Sequence, residues 1–370
     1  MLIDRRQLLG VMLTGFMAGG AGADVPRGRL FVSCRRDAAD NASVACFDRD
    51  GREVFATSLP ARGHDVTRRP RAAEIVAFAR RPGNWFAVLG SADGSLRQVV
   101  EAAEGRHFYG HGAFSADGRL LHATENLIAT GEGLIGIYDA SDGYRRIGEM
   151  PSGGIGPHDL ALLPGGRGLI IANGGLRTHP DTGRETLNPE DMKPNLALLD
   201  LRHGEVTARH ELAAELRRLS IRHLAVRGDG VVAFGGQYQG AAEDAPPLIG
   251  LLRPGGTPAM LAVEGDALFA MNNYIGSVAF DDDGGSLIAT SPEGGAALIW
   301  DMAGDRLAAS LRLPDVCGAA ANGRQSFIVT SGNAGITTLG LSGLAGPGVE
   351  QRWIWDNHAR VLREAGQADD

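Results

Sequence analysis

A seven-bladed, all-β propeller is the fold this sequence predicts, and three observations predict it. Glycine is abundant, at 54 of 370 residues, and short apolar stretches alternate with Gly/Asp/Asn/Pro turns instead of following helical spacing. One four-strand unit recurs with starts near residues 64, 111, 158, 223, 277 and 317, and a repeat of roughly 40 to 50 residues marks propeller blades. The two chain ends supply complementary fragments of a seventh unit.

The chain opens on a different pattern. Asp4-Arg5-Arg6-Gln7-Leu8-Leu9-Gly10 sets two arginines ahead of an apolar run, and Ala21-Gly22-Ala23 offers a small-residue cleavage site before Asp24. This layout predicts a twin-arginine signal peptide over residues 1–23, a single propeller domain over 24–370 and a periplasmic location. The run from Gln7 to Ala23 is shorter than the ~20 apolar residues of a membrane span and carries five glycines, so no stable span is expected after cleavage.

Residues 29–58 hold three strands, Leu30–Ser33, Val44–Asp48 and Glu53–Ser58, with no first strand before them. Six complete units follow. Gly110–Gly118 aligns with Gly276–Gly284 without a gap, and Pro157–Gly166 and Arg222–Gly230 repeat the same apolar strand and Asp/Gly turn. Second strands follow at Leu120–Ala123, Leu169–Ala172, Val231–Phe234 and Ser286–Ala289. Third strands end on an aspartate at Ile135–Asp139, Leu196–Asp200 and Ala297–Asp301, and fourth strands read at Tyr144–Met150 and Arg306–Leu313. An insertion, Gly174–Pro194, explains the wide step after residue 158. Glu211–Leu219 reads as a short helix. The C-terminal Asn357–Leu362 reads as a lone first strand; joined to residues 29–58 it closes the ring and removes two exposed sheet edges.

His64, His111, His158, His223 and His358 all stand at the start of a first strand. The chain holds ten histidines in all, too few for chance to place five at seven equivalent positions. In the other two blades the position falls to Ser277 and, with a one-residue shift, Cys317. First strands line a propeller's channel, so a ring of imidazoles with one thiol suits a transition metal such as iron, copper or zinc, or haem iron. Another reading is structural. Gly63-His64 and Gly110-His111 look like the Gly-His of WD-type repeats, which hydrogen-bonds within its blade. His64-Asp65 and His158-Asp159 fit local pairs, and Cys317 fits a small buried residue.

The loops between second and third strands open on the same face as those entering the first strands. They carry Arg35, Glu125, Asn126, Asn173, Arg177, His179, Gln237, Tyr238, Glu293 and Asn333, and the 174–194 insertion has the length to lid the channel mouth. Polar loops over one mouth make the expected ligand face. Net charge is −8 and Lys193 is the only lysine, so no basic face for nucleic acid is present. Cys34 and Cys46 are near enough in sequence to form a disulfide. C-x-x-C-H, H-E-x-x-H and a G-x-S-x-G with triad partners are absent, so no catalytic residue is assigned.

The twin-arginine start, Ile171–Asn188 with its Asn-Gly-Gly-Leu-Arg-Thr-His-Pro core, Glu125-Asn126, Gly133–Asp139 and Gln237–Gly240 together resemble the bacterial family called domain of unknown function 1513. That resemblance spans the chain after the leader. It implies a propeller related to quinoprotein and YVTN-repeat folds, and partners among imelysin-like or di-haem cytochrome proteins of iron uptake. It implies no activity. The expected function is a non-enzymatic periplasmic component of iron or other metal acquisition, binding metal, haem or a partner protein. A lactonase-like or quinoprotein-like enzyme and a pure protein-interaction platform are the alternatives.

Overall fold

The two ends of the chain meet in one sheet. Strands β1 (Leu30–Arg36), β2 (Ala42–Asp48) and β3 (Glu53–Ser58) take their inner neighbour from β28 (Ile354–Arg363), in the order β28-β1-β2-β3. The computed structural model describes residues 28–363 apart from 82, 184, 334, 345–348, 350 and 351; the expected signal peptide lies outside the described residues.

The other six blades are continuous in sequence. Blade 1 is β4 (Gly63–Arg68), β5 (Glu74–Ala79), β6 (Trp85–Gly90) and β7 (Leu96–Glu101). Blade 2 is β8 (Arg106–Phe114), β9 (Leu120–Leu127), β10 (Glu132–Asp139) and β11 (Arg145–Ile155). Blade 3 is β12 (Pro157–Leu162), β13 (Gly168–Asn173), β14 (Asn195–Asp200) and β15 (Glu205–Glu211). Blade 4 is β16 (Leu219–Val226), β17 (Val232–Tyr238), β18 (Ile249–Leu252) and β19 (Ala259–Met260). Blade 5 is β20 (Ser277–Phe280), β21 (Ser286–Ser291), β22 (Ala296–Asp301) and β23 (Arg306–Arg312). Blade 6 is β24 (Val316–Ala321), β25 (Ser326–Ser331), β26 (Gly335–Gly340) and β27 (Gly343–Leu344). The molecule is thus a seven-bladed all-β propeller whose last blade, blade 7, is built from both chain ends.

Burial follows position within a blade. Middle strands such as β2, β6 and β21 are buried along their whole length, because both faces pack on neighbouring blades. Outer strands β15 and β23 alternate residue by residue, with one face in water. Aromatic side chains fill the wedges: Phe86 of blade 1 lies 5.4 Å from Phe108 and 5.2 Å from Tyr138 of blade 2. The aspartates that end third strands have a local task. Asp48, Asp139, Asp200 and Asp301 each accept a hydrogen bond from the backbone N–H two residues on, at 2.8–3.0 Å, closing the turn into the fourth strand.

Two sequence expectations are corrected. Glu211–Leu219 is not a helix: β15 runs through Glu211, Ala214–Leu216 makes one 3-10 turn, and Leu219 already begins β16. The segment is too short to be helical without a tertiary face, and both of its ends are held by blade pairing. No disulfide joins Cys34 to Cys46. Cys34 pairs with Val44 and Cys46 with Val32, so the cysteines are diagonal neighbours, roughly 7–8 Å apart in such sheets and beyond bridging distance. Among the described residues no helix is long and apolar enough to cross a membrane.

Candidate metal centre

A recurring irregularity aims the histidines. First strands β4, β8, β12, β16 and β24 each carry a register shift against their second strand, spanning Gly63/Val66, Phe108/Gly112, Pro157/Asp159, Ile221/His223 and Val316/Ala319. β28 carries the equivalent shift opposite Ser33/Arg35. β20, with Ser277, pairs without one. A bulge bends its strand and re-aims a side chain. Here the shift spans the histidine in β4, β8, β12 and β28, while in β16 it falls on Arg222, just before His223, which pairs with Gly235. Glycine makes room in two places. A Cβ on Gly110, whose φ is +106°, would meet the His64 ring at 2.7 Å, and one on Gly318 would meet the Ala359 backbone nitrogen at 2.5 Å.

The five rings form one cluster. His111 lies 4.6 Å from His358, 4.9 Å from His64 and 4.9 Å from His158, centroid to centroid; His223 lies 4.9 Å from His358 and 5.2 Å from His158. All five are buried, and the Nε2 atom of each has no hydrogen-bond partner within the protein. Two sets of three ligand atoms lie within 4.8 Å of one another, His64/His111/His358 and His111/His158/His223; Asp65/His111/Asp159 makes a third.

Carboxylates from neighbouring blades hold two of the rings. His64 Nδ1 meets Asp356 at 2.7 Å, and the same carboxylate accepts from Arg62 at 2.7 Å and Arg80 at 2.8 Å. His111 Nδ1 meets Asp65 at 3.0 Å and Asp159 at 3.2 Å, while Arg360 clasps Asp65 with two bonds of 2.7 and 2.9 Å. His158 Nδ1 instead faces Arg222 at 3.3 Å. The WD-type expectation is therefore corrected: these contacts run between blades, not within one. His64-Asp65 and His158-Asp159 are not local pairs either, because a bulge turns adjacent side chains toward different partners.

Charge follows from those contacts. Burial lowers the His64 pKa to about 4 even beside Asp356, whose charge two arginines already balance. His158, His223 and His358 are pushed well below the ordinary range by burial and by neighbouring cationic groups. His111 is the exception: burial opposes its charge, yet Asp159 and Asp65 outweigh it and raise the pKa to about 9. Asp65 and Asp356 stay well below the carboxylate range, burial being overcome by Arg360 for one and Arg80 for the other.

A pH profile of the metal-free protein follows. The four depressed histidines stabilise the fold above their unfolded pKa of about 6.5, and this contribution is lost as pH falls toward the folded values. His111 acts in the other direction, its contribution present below about 6.5 and lost as pH rises through about 9. Thermal unfolding is expected to show a clear fall in Tm between about pH 6.5 and pH 4. A flat Tm across that interval would contradict this assignment of protons.

The other residues expected on the ligand face have partners of their own, and Arg177 packs against Gly131 in the loop after Asn126. Arg35 is buried, pairs with Glu53 and stacks 3.7 Å over Trp353. Glu125 accepts from Tyr138 at 2.6 Å and Arg146 at 2.8 Å inside blade 2, and Asn126 meets His107 at 3.3 Å. Asn173 donates to Ser152 and Asn195. In the insertion, the Arg177 backbone N–H donates to Asn188, His179 caps a 3-10 turn, and Glu190 reaches Arg218 of the next blade. Gln237 donates to the Ile275 carbonyl, and Tyr238 to Asp244. Glu293 and Asn333 are exposed in turns. The Cys317 sulfur lies by Asp315, burial pushes its pKa well up, and no cysteine joins the ligand sets.

Two cavities open at the opposite end of the axis, where first strands turn into second strands. One of about 430 Å³ is lined by Arg227, Phe280, Asp282 and Ala320 among others, and one of about 280 Å³ by Asp65, Thr67, Arg68 and Asp159; Arg360 lines both. Sequence reasoning missed the partners Asp356, Arg62, Arg80, Arg222 and Arg360. For Asp356, Arg62, Arg222 and Arg360 the one available signal was a charged residue one or two places from a first-strand histidine; Arg80 lies far from any of them in sequence.

Fold and axis together define a seven-bladed propeller with a buried polyhistidine centre. The chain belongs to the family described as "Protein of unknown function (DUF1513)", whose model matches residues 57–362. No curated protein matches the chain. Among solved structures, Kuenenia stuttgartiensis hydrazine synthase is similar over 88% of this chain and 99% of that one, with a TM-score of 0.63 at 13% identity. A functionally unknown protein from Desulfotomaculum acetoxidans DSM 771 is similar over 91% and 99%, with a TM-score of 0.60 at 11% identity. At such identities the likeness is one of fold.

Proposed function

We propose that this protein is an exported, periplasmic component of metal acquisition that binds a transition-metal ion at its axis and catalyses no reaction. The observation that carries the reading is the set of five buried Nε2 atoms without hydrogen-bond partners, gathered in one cluster. Each such atom costs about 1–3 kcal/mol when left unsatisfied, and ligation of an ion offsets that cost. Asp65 and Asp159, which hold positive charge on His111 in the metal-free protein, supply the negative charge a bound cation needs.

Rings packed at 4.6–5.2 Å suit a single ion and not a haem macrocycle, so the cargo is iron, copper or zinc as the ion. The twin-arginine leader supports export of a chain already folded around its metal. The resemblance to proteins encoded beside imelysin-like and di-haem cytochrome partners supports a place in iron uptake.

Protein purified from an export-competent host without chelator is expected to carry one metal per chain by elemental analysis. His111→Ala combined with His158→Ala is expected to lose it and to keep the propeller's circular dichroism. A wild-type protein that carries no metal and takes none up would move the function to protein interaction. Turnover of lactones or amines would make it an enzyme.

A further inference from the structure

We infer that the histidine centre is two-sided: one late first-row ion of the copper or zinc class sits on His64, His111 and His358, and Arg222 closes the other side to cations. The inference rests on the metal-binding reading above and specifies which half of the centre performs it. The two histidine triads share His111, so they compete for its single inward-facing nitrogen and cannot both fill.

Hydrogen bonding separates the triads. A carboxylate only accepts, so Asp356 places a proton on His64 Nδ1, and Asp65 with Asp159 places one on His111 Nδ1. That makes Nε2 the ligand nitrogen of both rings, bare on neutral His64 and bared on His111 when a bound cation displaces its second proton, the carboxylate–histidine arrangement that orients metal ligands. A guanidinium only donates, so His158 Nδ1 is the acceptor from Arg222 and the proton of the neutral ring sits on Nε2. Ligation through His158 Nε2 would need that bond broken. It would also set a second cation beside the buried Arg222.

Donor chemistry names the metal class. His64, His111 and His358 offer three imidazole nitrogens, that of His111 once the incoming cation displaces its second proton, and no thiolate or carboxylate oxygen belongs to that set. Borderline nitrogen ligands favour copper and zinc, and the affinity order of divalent ions puts iron(II) below both. Metal–nitrogen bonds of about 2.0–2.1 Å would draw together the three nitrogens, which now lie within 4.8 Å of one another.

The test titrates the full mature protein with Cu(II), Zn(II) and anaerobic Fe(II). One equivalent is expected, with Cu(II) tightest and Fe(II) weakest. His358→Gln should weaken zinc binding by at least about 100-fold, the upper end of what losing an outer partner alone costs, while His223→Gln should leave it within about threefold. In case His358→Gln fails to fold, ¹⁵N-histidine spectra of the wild type on zinc addition give the same answer. Rings 64, 111 and 358 should change, and 158 and 223 should not. No metal bound by the wild type would sink the metal-binding reading itself. One ion lost on His223→Gln but kept on His358→Gln, two ions per chain, or iron(II) bound more tightly than zinc would each overturn only the two-sided assignment.

Discussion

Ending the chain after Trp355 is expected to abolish cooperative folding. β28 pairs with β1 from Leu30↔Arg363 to Arg36↔Ile354, and its loss would bare β1 as an inner edge. The same cut removes Leu362 from the core beneath blades 7 and 1, and Ala359 from the one between blades 6 and 7. It also removes Asp356, His358 and Arg360, each of which has a buried partner in another blade or ring contacts at the axis. The loss is spread over two packing interfaces and the axial network. It should therefore far exceed the ~1 kcal/mol of an ordinary substitution. Thermal unfolding followed by circular dichroism of residues 24–355 should show no sigmoidal transition. A transition at the full-length temperature would refute closure by β28.

Asp356→Ala should be the most damaging single substitution at the axis. This carboxylate is buried and receives Arg62, Arg80 and His64 together. Removing it strands the Arg80 guanidinium, itself mostly buried, with no balancing charge. Breaking a buried pair from one side costs about 3–5 kcal/mol, because the remaining charge keeps its desolvation penalty. The urea midpoint should fall accordingly. Asp142→Ala, which removes the exposed partner of Arg145, should leave it almost unchanged. Equal effects from the two substitutions would mean that Asp356 is not a node of the axis.

Much of this architecture was legible because a propeller writes itself in local units. The inner strands of the repeat are set by short apolar runs, and four of the seven third-to-fourth turns by an aspartate that accepts from a backbone N–H two residues away. Such signals survive in a linear reading. The histidine position was legible for the same reason, since it recurs at one place in the unit. The supposed helix at Glu211–Leu219 misled because a composition that favours helix was overridden by pairing at both of its ends.

By itself, the sequence determined the strand-and-turn unit, the number of blades, the joining of the two ends and the alignment of five histidines on first strands. All of these depend on residues within about one blade of each other, or on counting blades. Only the tertiary structure decided what those histidines meet. Asp356 and His64 are 292 positions apart, and Arg360 and Asp65 are 295 apart, yet each pair shares a buried hydrogen bond or ion pair. Ring closure brings them together, and first-strand bulges choose which side chain turns inward. Neither the angle of a bulge nor the neighbour it faces is encoded within a single repeat, because both are set by packing against the adjacent blade.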